Sequence, residues 1–322
     1  MKKKKSKFNP NRPLPQELTI PSANDKLFKI GLSYFNFGHS KRSIINNPIL
    51  ILIVNTIVIT RSLISLKMKG LSRDMSIYLG NFSHFIEVGV QWDLQFVSIG
   101  CANISSLILF YRMYRKGKIP KFMDFFHMLS GSVSPLSLGL TNEVEIRKLS
   151  RKAQIMFALN DMISYIWSPF SGFILYFMVF AKSSSLNEFL LFGIPWSLNC
   201  AVWCTYASNI ILLQILCFYL ICEFCKQRLR AINEHLLRMK LAKIAVNERN
   251  VKLLLHSIDR VYGDIKTYNN EYVSQFLFMN SANFLVTFNV FLYHGIFGNL
   301  SPGPLLIMGI HSLNSFVAFC FP

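Results

Sequence analysis

Residues 196–230 read WSLNCAVWCTYASNIILLQILCFYLICEFCKQRLR. This stretch contains no proline or glycine, and no charged residue precedes Glu223. A helix needs roughly 20 mainly apolar residues to cross about 30 Å of hydrocarbon, and nothing here would end such a helix where the charges begin. The stretch therefore predicts a membrane span that continues, as one helix, into a polar segment outside the membrane.

Further apolar segments of span length lie on both sides of this stretch. The predicted spans are 44–66, 78–111, 153–180, 189–222, 275–297 and 305–322. The second is too long for the bilayer, because a continuous helix from Ser76 to Tyr111 would extend about 54 Å at about 1.5 Å per residue. The sixth is still apolar at Pro322, so we expect an interrupted span. The predicted fold class is an all-α polytopic bundle of transmembrane helices.

The composition does not suit a soluble protein. The chain of 322 residues is 52% hydrophobic and only 16% charged, whereas soluble domains carry about 25% charged residues. Its net charge of +18 would suggest nucleic acid if the basic residues covered one soluble face. Lys and Arg instead fall between the apolar segments, so we expect a protein that contacts membrane lipid and binds no nucleic acid.

The basic residues alternate between loops in a way that orients the spans. Of the 34 Lys and Arg residues, 29 lie before residue 44 or within 112–152 and 226–266. Loops rich in Lys and Arg remain in the cytoplasm. The basic amino-terminal segment 1–43 and both long loops are therefore predicted to be cytoplasmic, in a multi-pass protein of the plasma membrane.

One apolar seam follows the fourth span, and a second apolar seam precedes the fifth span. In both, apolar residues recur in steps of three and four, which puts an apolar stripe on one face of a helix. The sequence predicts a bundle over 44–322 that carries a cytoplasmic helical hairpin, 223–274, able to serve as a subunit contact. The alternative is an amphipathic loop that rests on anionic lipid. The candidate subunit-contact residues are Leu229, Ile232, Leu236, Ile258, Val261 and Ile265.

The residues around this hairpin carry a family resemblance. Phe218-Tyr219-Leu220-Ile221-Cys222, followed by Arg228-Leu229 and Ile232-Asn233, resembles the inner end of the fourth span in the arthropod chemoreceptor superfamily of gustatory and odorant receptors. Ile258-Asp259, Val261-Tyr262, Ile265 and Tyr268-Asn269 resemble that family's approach to the fifth span. The topology is similar along the whole chain, and the gustatory branch is the more similar one.

The resemblance implies a function that the residues alone do not. Members of this superfamily resemble tetrameric ligand-gated cation channels whose pore is lined by a seventh span, in which a Thr-Tyr pair is followed by a Gln. This sequence stops before such a span, so we expect the natural chain to continue. The implied function is a gustatory-type receptor for taste, acting as a non-selective cation channel subunit in a homo- or hetero-tetramer that detects a small molecule.

The most polar patch within any predicted span comprises His84, Glu87, Gln91, Trp92 and Asp93. An ionisable side chain at the centre of a span costs about 2.5 to 3.5 kcal/mol on insertion scales, so it usually faces protein or water. We interpret His84, Glu87, Gln91 and Trp92 as one wall of a small-molecule pocket. In the alternative interpretation, Glu87 and Asp93 pair with basic groups such as Arg61 or Lys182 and fix helix packing.

Aromatic residues on the outer halves of later spans extend this predicted pocket. Sites for small organic molecules are mainly apolar and aromatic with a few polar groups, and Pro169 with Gly172 can kink the third span and open space. The competing interpretation is that these aromatic residues cover lipid-facing and interfacial surfaces. The further ligand-binding candidates are Trp167, Phe173, Trp196, Asn199, Trp203, Phe288 and Phe291.

The sequence contains no motif that supports catalysis. It has no Gly-rich phosphate loop and no nucleophile elbow. Cys222 and Cys225 have the spacing of half a zinc site, but no second pair completes four ligands. We therefore predict neither an enzyme nor a metal site nor a cofactor.

Two other classes of membrane protein remain open. In a secondary transporter, Glu87 and Asp93 would be coupling-ion groups. In a G-protein-coupled receptor, Asp259, Arg260 and Tyr262 would imitate the Asp-Arg-Tyr signature, but that class has its amino terminus outside the cell.

Overall fold

The computed structural model describes residues 12–20, 48–67, 72–81, 89–115, 121–241, 248–270 and 289. Within these ranges the regular elements are helices, without a strand. The predicted spans 275–297 and 305–322 lie outside the described residues, apart from residue 289. The described elements begin with α1 (Pro48–Lys67), α2 (Arg73–Tyr78), α3 (Gly89–Arg115), α4 (Met123–Leu129) and a 3₁₀ turn (Pro135–Leu138). Two long helices, α5 from Glu143 to Ser183 and α6 from Leu186 to Leu241, follow, and α7 is Glu248–Tyr268.

Helices α5 and α6 each contain a short π-helical turn. Helix α5 comprises Glu143–Met162, the π turn Ile163–Trp167 and Ser168–Ser183, and α6 comprises Leu186–Glu188, the π turn Phe189–Gly193 and Ile194–Leu241. The π turn of α5 ends at Trp167, two residues before Pro169, whose ring nitrogen has no hydrogen to donate to the preceding turn. The changed hydrogen bonding of π turns lets a helix accommodate such a residue without ending.

Side-chain caps determine where α5 and α6 begin. The Asn142 side chain accepts a hydrogen bond from the Val144 amide at 3.0 Å, and Glu143 lies in the first turn, where a negative charge suits the helix dipole. At the start of α6, Ser185 and Glu188 form a reciprocal capping box. Both helices therefore begin at residues whose side chains replace the missing backbone acceptors.

The stretch 196–230 is helical throughout, as its sequence predicts. The Ile194–Leu241 part of α6 has 48 residues, which correspond to about 72 Å at about 1.5 Å per residue. This is more than twice the thickness of the hydrocarbon layer, about 30 Å. The polar end of α6 therefore extends well beyond any membrane that its apolar part crosses, and α7 packs along that polar end.

The second apolar stretch, from Ser76 to Tyr111, is not one continuous helix. Helix α2 ends at Tyr78, and the chain turns at Gly80, whose φ of 63° is left-handed. The described part of helix α3 comprises Gly89–Arg115. A glycine tolerates this conformation because it lacks a Cβ. The described helix after the turn has 27 residues, about 40 Å at about 1.5 Å per residue.

Three of the described helices are long and apolar enough to cross a membrane: Ile49–Lys67, Glu143–Lys182 and Leu186–Met239. Large apolar side chains on these helices are exposed, among them Ile49, Ile166, Phe170 and Leu191. Exposed apolar side chains on spanning helices face lipid rather than water. The predicted class, an all-α bundle of membrane helices, is confirmed.

The core lies between two pairs of helices. Helix α1 packs along α3, and the Ser168–Ser183 part of α5 packs along α6. The four helices surround buried side chains that include Val58, Phe96, Tyr176 and Trp203. Their mutual packing positions the polar groups described below.

Residues 12–20 pack against the same end of the bundle as α4. Leu14, Leu18 and Ile20 are buried, the Ile20 amide donates to the Leu129 carbonyl at 2.8 Å, and the Ser150 hydroxyl donates to the Leu18 carbonyl. The sequence predicted only a basic segment here. Its apolar residues instead dock onto α4 and the first half of α5.

Candidate functional site

The guanidinium of Arg61 lies at the centre of a cage of aromatic rings. Its central carbon is 5.7 Å from the ring centroid of Phe96, 5.4 Å from that of Tyr176 and 5.6 Å from that of Trp196. One of its NH₂ groups donates to the carbonyl of Gly80 at 3.0 Å. Arg61 is only 6% exposed, so these rings replace the hydration that the cation loses.

Trp203 joins this cage to a polar node between three helices. Its ring meets Phe96 edge to face, with centroids 5.1 Å apart. Its indole nitrogen donates to Asn55 Oδ1 at 3.1 Å, and Asn103 Nδ2 donates to the same oxygen at 3.1 Å. Asn55 and Asn103 are fully buried. The node therefore fixes α1, α3 and α6 relative to one another, since breaking it would leave polar groups unpaired.

Asp93 belongs to a second polar cluster between α1, α3 and the turn after α2. The Ser65 hydroxyl donates to Asp93 Oδ2 at 2.6 Å, and Asn81 Nδ2 donates to the Ser65 oxygen. Asp93 is 3% exposed. Lys182, one of the partners considered for it, is exposed at the end of α5. The carboxylate thus helps to tie the turn at residue 81 to the bundle.

Two of the buried donors around the cage that have no hydrogen-bond partner among the described residues bear on ligand binding. These are Asn199 Nδ2 and Arg61 Nε. Asn199 lies on the same face of α6 as Trp196 and Trp203, since these three positions differ by three, four and seven residues. A buried donor without a partner requires an explanation, such as a ligand or water that accepts from it.

The structure brings together only part of the predicted ligand-binding set. Trp196 and Trp203 meet at the Arg61 cage, with Asn199 on the same helix face. Trp167 is 49% exposed on α5, and Phe173 stacks on Phe177 at 5.6 Å, outside the cage. The described residues do not include His84, Glu87, Phe288 and Phe291, nor the side chains of Gln91 and Trp92.

Sequence reasoning did not assign Arg61, Phe96 or Tyr176 to the site. Arg61 carries the clearest signal, because it is an arginine within a predicted span. The sequence suggests it only as a counter-ion for Glu87 and Asp93. Phe96 and Tyr176 are single aromatic residues in apolar helices, and the chain contains 29 Phe and 12 Tyr. Their place around Arg61 depends on how α3 and α5 pack.

Four of the six predicted subunit-contact residues fall on the facing sides of α6 and α7. Ile232 and Val261 line one cavity between the two helices. Leu229 and Ile265 line a larger, open groove of about 510 Å³ beside it. Val261 is 3% exposed and Leu236 is 39% exposed. The chain itself therefore covers Val261, while Leu236 and the groove remain accessible to a partner.

An ion cluster around the buried carboxylate of Asp264 fixes this hairpin to the segment before α4. Arg228 donates to Asp264 Oδ2 at 2.6 Å, and Lys121 pairs with the other carboxylate oxygen. Burial opposes the ionisation of Asp264, but hydrogen bonds from Lys121 and Arg228 outweigh it and hold the pKa of the carboxyl below its ordinary value of 3.8. Arg260 adds a hydrogen bond to the Ser137 carbonyl at 3.1 Å.

Cys222 and Cys225, near the hairpin, are partly buried. Among the described residues, no group of three or more His, Cys, Asp or Glu side chains could hold a metal ion. Burial raises the pKa of the Cys225 thiol to about 11, so the neutral thiol predominates near pH 7, and thiols are poor ligands and nucleophiles compared with thiolates.

Comparisons with known proteins identify the fold. The chain superimposes on the structure of the insect olfactory receptor OR5 from Machilis hrabei with a TM-score of 0.65, over 93% of this chain and 76% of that chain. The two sequences are 11% identical. No protein-family model and no curated protein sequence matches the chain. This chain therefore has the fold of an insect olfactory receptor.

Proposed function

We propose that this protein is a chemosensory receptor of the arthropod chemoreceptor superfamily, of the gustatory type, which acts as a ligand-gated, non-selective cation channel subunit in the plasma membrane. The main support is the fold shared with an olfactory receptor over 93% of the chain. The residues of the fourth and fifth span regions that resemble the superfamily support the same proposal from the sequence.

The ligand is a small molecule that binds at the aromatic cage around Arg61. Trp196 and Trp203 supply apolar surface, while Asn199 Nδ2 and Arg61 Nε supply donors that have no partner among the described residues. A carbonyl or hydroxyl oxygen of the ligand would satisfy them. Binding sites of this chemistry combine aromatic walls with a few directed polar groups.

Ligand binding would open the channel through a population shift. The cage connects α1, α3, α5 and α6, so a ligand that separates these rings changes the relative positions of four helices. Only a ligand that binds the open state more tightly than the closed state can shift the equilibrium. The required difference in binding free energy is about 5.5 kcal/mol for a shift from 1% to 99% open.

Subunits would assemble through the cytoplasmic hairpin. Leu229 and Ile265 line an open groove between α6 and α7, and Leu236 is exposed beside them. A second copy of the chain, in a homo- or hetero-tetramer, would cover this apolar surface. Enzymatic activity is not part of this proposal.

The proposal is tested by measuring ligand-evoked currents in cells that express the protein together with co-receptors of the same class. We expect the concentration that gives half-maximal current for an active compound to rise about tenfold in Asn199→Ala, because one hydrogen bond in a buried site contributes roughly 1.5 kcal/mol. Asn187→Ala, an exposed asparagine at the start of α6, is the matched control and should leave the response unchanged. Currents that need no ligand, or an equal effect of both substitutions, would contradict the proposal.

A further inference from the structure

The cavity between α6, α7 and the 3₁₀ turn differs in chemistry from the aromatic cage. Its volume is about 310 Å³, within the range of small-molecule sites. Its polar wall contains Arg228, His235, Arg260 and Thr141, and no Asp or Glu lines it. Its apolar wall is formed by side chains such as Ile232 and Val261. The polar wall carries at least two positive charges at neutral pH.

The positive charge of this cavity is not neutralised by the nearby carboxylate. Asp264 is shared between Arg228 and Lys121, so one of these two positive charges is in excess. Arg260 contributes another, and its described hydrogen bond is to the carbonyl of Ser137 rather than to an acid. The cavity therefore favours an anion, because fixed cations in a concave surface concentrate a positive potential.

Arg228 is also incompletely hydrogen-bonded. Its side chain is 5% exposed, one NH₂ group donates to Asp264, and its Nε has no hydrogen-bond partner in the described part of the chain. A Cβ placed on Gly139 would lie 3.5 Å from this Nε, and Gly139 lines the same cavity. The unpaired edge of the guanidinium therefore faces the side of the cavity formed by Gly139.

We propose that this cavity binds a phosphate group. A phosphate accepts hydrogen bonds from several donors at once, and arginine side chains match its geometry in pairs. Arg228 and Arg260 come from different helices, α6 and α7, so the ligand would join the two arms of the hairpin. The group could belong to a membrane lipid headgroup or to a soluble phosphate compound, because Arg228 lies close to the predicted membrane boundary and His235 lies two turns farther along α6.

The proposal is tested with the full chain in nanodiscs, and its readout does not require channel activity. In phosphatidylcholine nanodiscs, inorganic pyrophosphate is titrated while binding is followed by a rise in melting temperature. In a second arm, the nanodiscs contain either phosphatidylinositol 4-phosphate or phosphatidylserine at matched charge. Saturation by pyrophosphate supports a soluble ligand, and a response to the phosphoinositide alone supports a lipid headgroup.

Two charge-reversal variants separate the site from general surface charge. Arg260→Glu should weaken binding at least about tenfold, because it removes a charge-assisted hydrogen bond and adds repulsion. Lys266→Glu, an exposed lysine on the same helix and outside the cavity, should leave affinity unchanged. His235→Ala provides a second variant at an exposed position, with a smaller expected loss.

Three results would overturn the proposal. They are the lack of saturable binding in both arms, an equal response to phosphatidylserine and the phosphoinositide, and an equal loss of affinity in Arg260→Glu and Lys266→Glu.

Discussion

The carboxylate of Asp264 lies between two cationic side chains, one from the loop before α4 and one from α6. Arg228 and Asp264 are 5% and 7% exposed. A buried ion pair of this kind is costly to break, because removal of one partner leaves an uncompensated charge inside the protein. The ion cluster therefore stabilises the position of the hairpin more through the penalty of disruption than through a large net attraction.

Asp264→Asn should lower the free energy of unfolding by about 3 to 5 kcal/mol. The measurement is the melting temperature of the purified chain in detergent. The double variant Arg228→Met with Asp264→Leu should recover most of the loss, because neither charge remains to be buried. A double variant that is less stable than Asp264→Asn alone would contradict this account.

The stabilisation from the ionised carboxylate of Asp264 should be lost as the pH falls. Its pKa in the folded protein is below 3.8, so the contribution is present above the unfolded pKa and is lost as the pH falls through the folded value. The difference in melting temperature between the natural chain and Asp264→Asn should be constant from about pH 5 upward and should shrink below about pH 4. A difference that grows on acidification would show that another group dominates.

At the scale of the element, two glycines have opposite roles. Gly80 adopts a φ of 63°, and a Cβ there would lie 2.3 Å from the indole of Trp196. Trp196 also donates a hydrogen bond to the Tyr78 carbonyl at 3.1 Å. The turn after α2 and the ring of Trp196 thus occupy complementary space. Gly263, within α7, has nothing within 4 Å of its Cβ position.

Gly80→Ala should destabilise the protein by about 1 to 3 kcal/mol, because it combines backbone strain with a steric overlap. Gly263→Ala should stabilise α7 by up to about 1 kcal/mol, because alanine is the better helix former. Melting temperatures of the two variants provide the comparison. Equal shifts of the same sign would contradict the assigned roles.

Residues 12–20 form an element that the sequence pattern did not reveal. Leu18 is 3% exposed and lies beside α4 and α5, whereas Glu17 next to it is exposed. Leu18→Ala should cost about 2 to 5 kcal/mol of local stability through loss of buried apolar surface. We expect faster proteolysis near residue 20 in Leu18→Ala than in Glu17→Ala. Equal cleavage rates would show that the docked segment contributes little.

At the scale of the whole molecule, three basic segments meet at one end of the bundle. Ile20 contacts Leu129, Lys121 contacts Asp264, and Lys152 pairs with Glu223 at 3.4 Å. The amino-terminal segment, residues 112–152 and the hairpin are the segments that the charge pattern assigns to one side of the membrane. Their contacts show that these segments share one end of the fold. That this end faces the cytoplasm remains a prediction.

Cysteine labelling in cells tests that orientation. Lys266→Cys, at the basic end, should react with a membrane-impermeant maleimide only after the cells are permeabilised. Asn187→Cys, at an exposed position at the start of α6, should react in intact cells. The reverse pattern would place the amino terminus outside and would favour a G-protein-coupled receptor.

The sequence by itself determined the features that depend on local pattern. The unbroken stretch 196–230 predicts one long helix because a helix needs no distant partner to propagate through residues that lack proline and glycine. The seams of α6 and α7 follow from a spacing of three and four residues. The charge pattern places the basic segments on one side of the membrane, because loops rich in Lys and Arg are not carried across it.

Only the tertiary structure decided which side chains meet. The cage around Arg61 draws on α1, α3, α5 and α6, and the position of Trp167 outside it depends on how α5 is rotated against α6. The turn at Gly80 leaves room for the indole of Trp196, which is 116 positions away in the sequence. Contacts of this kind depend on the packing of helices that are distant in the chain, and a local pattern carries no information about that packing.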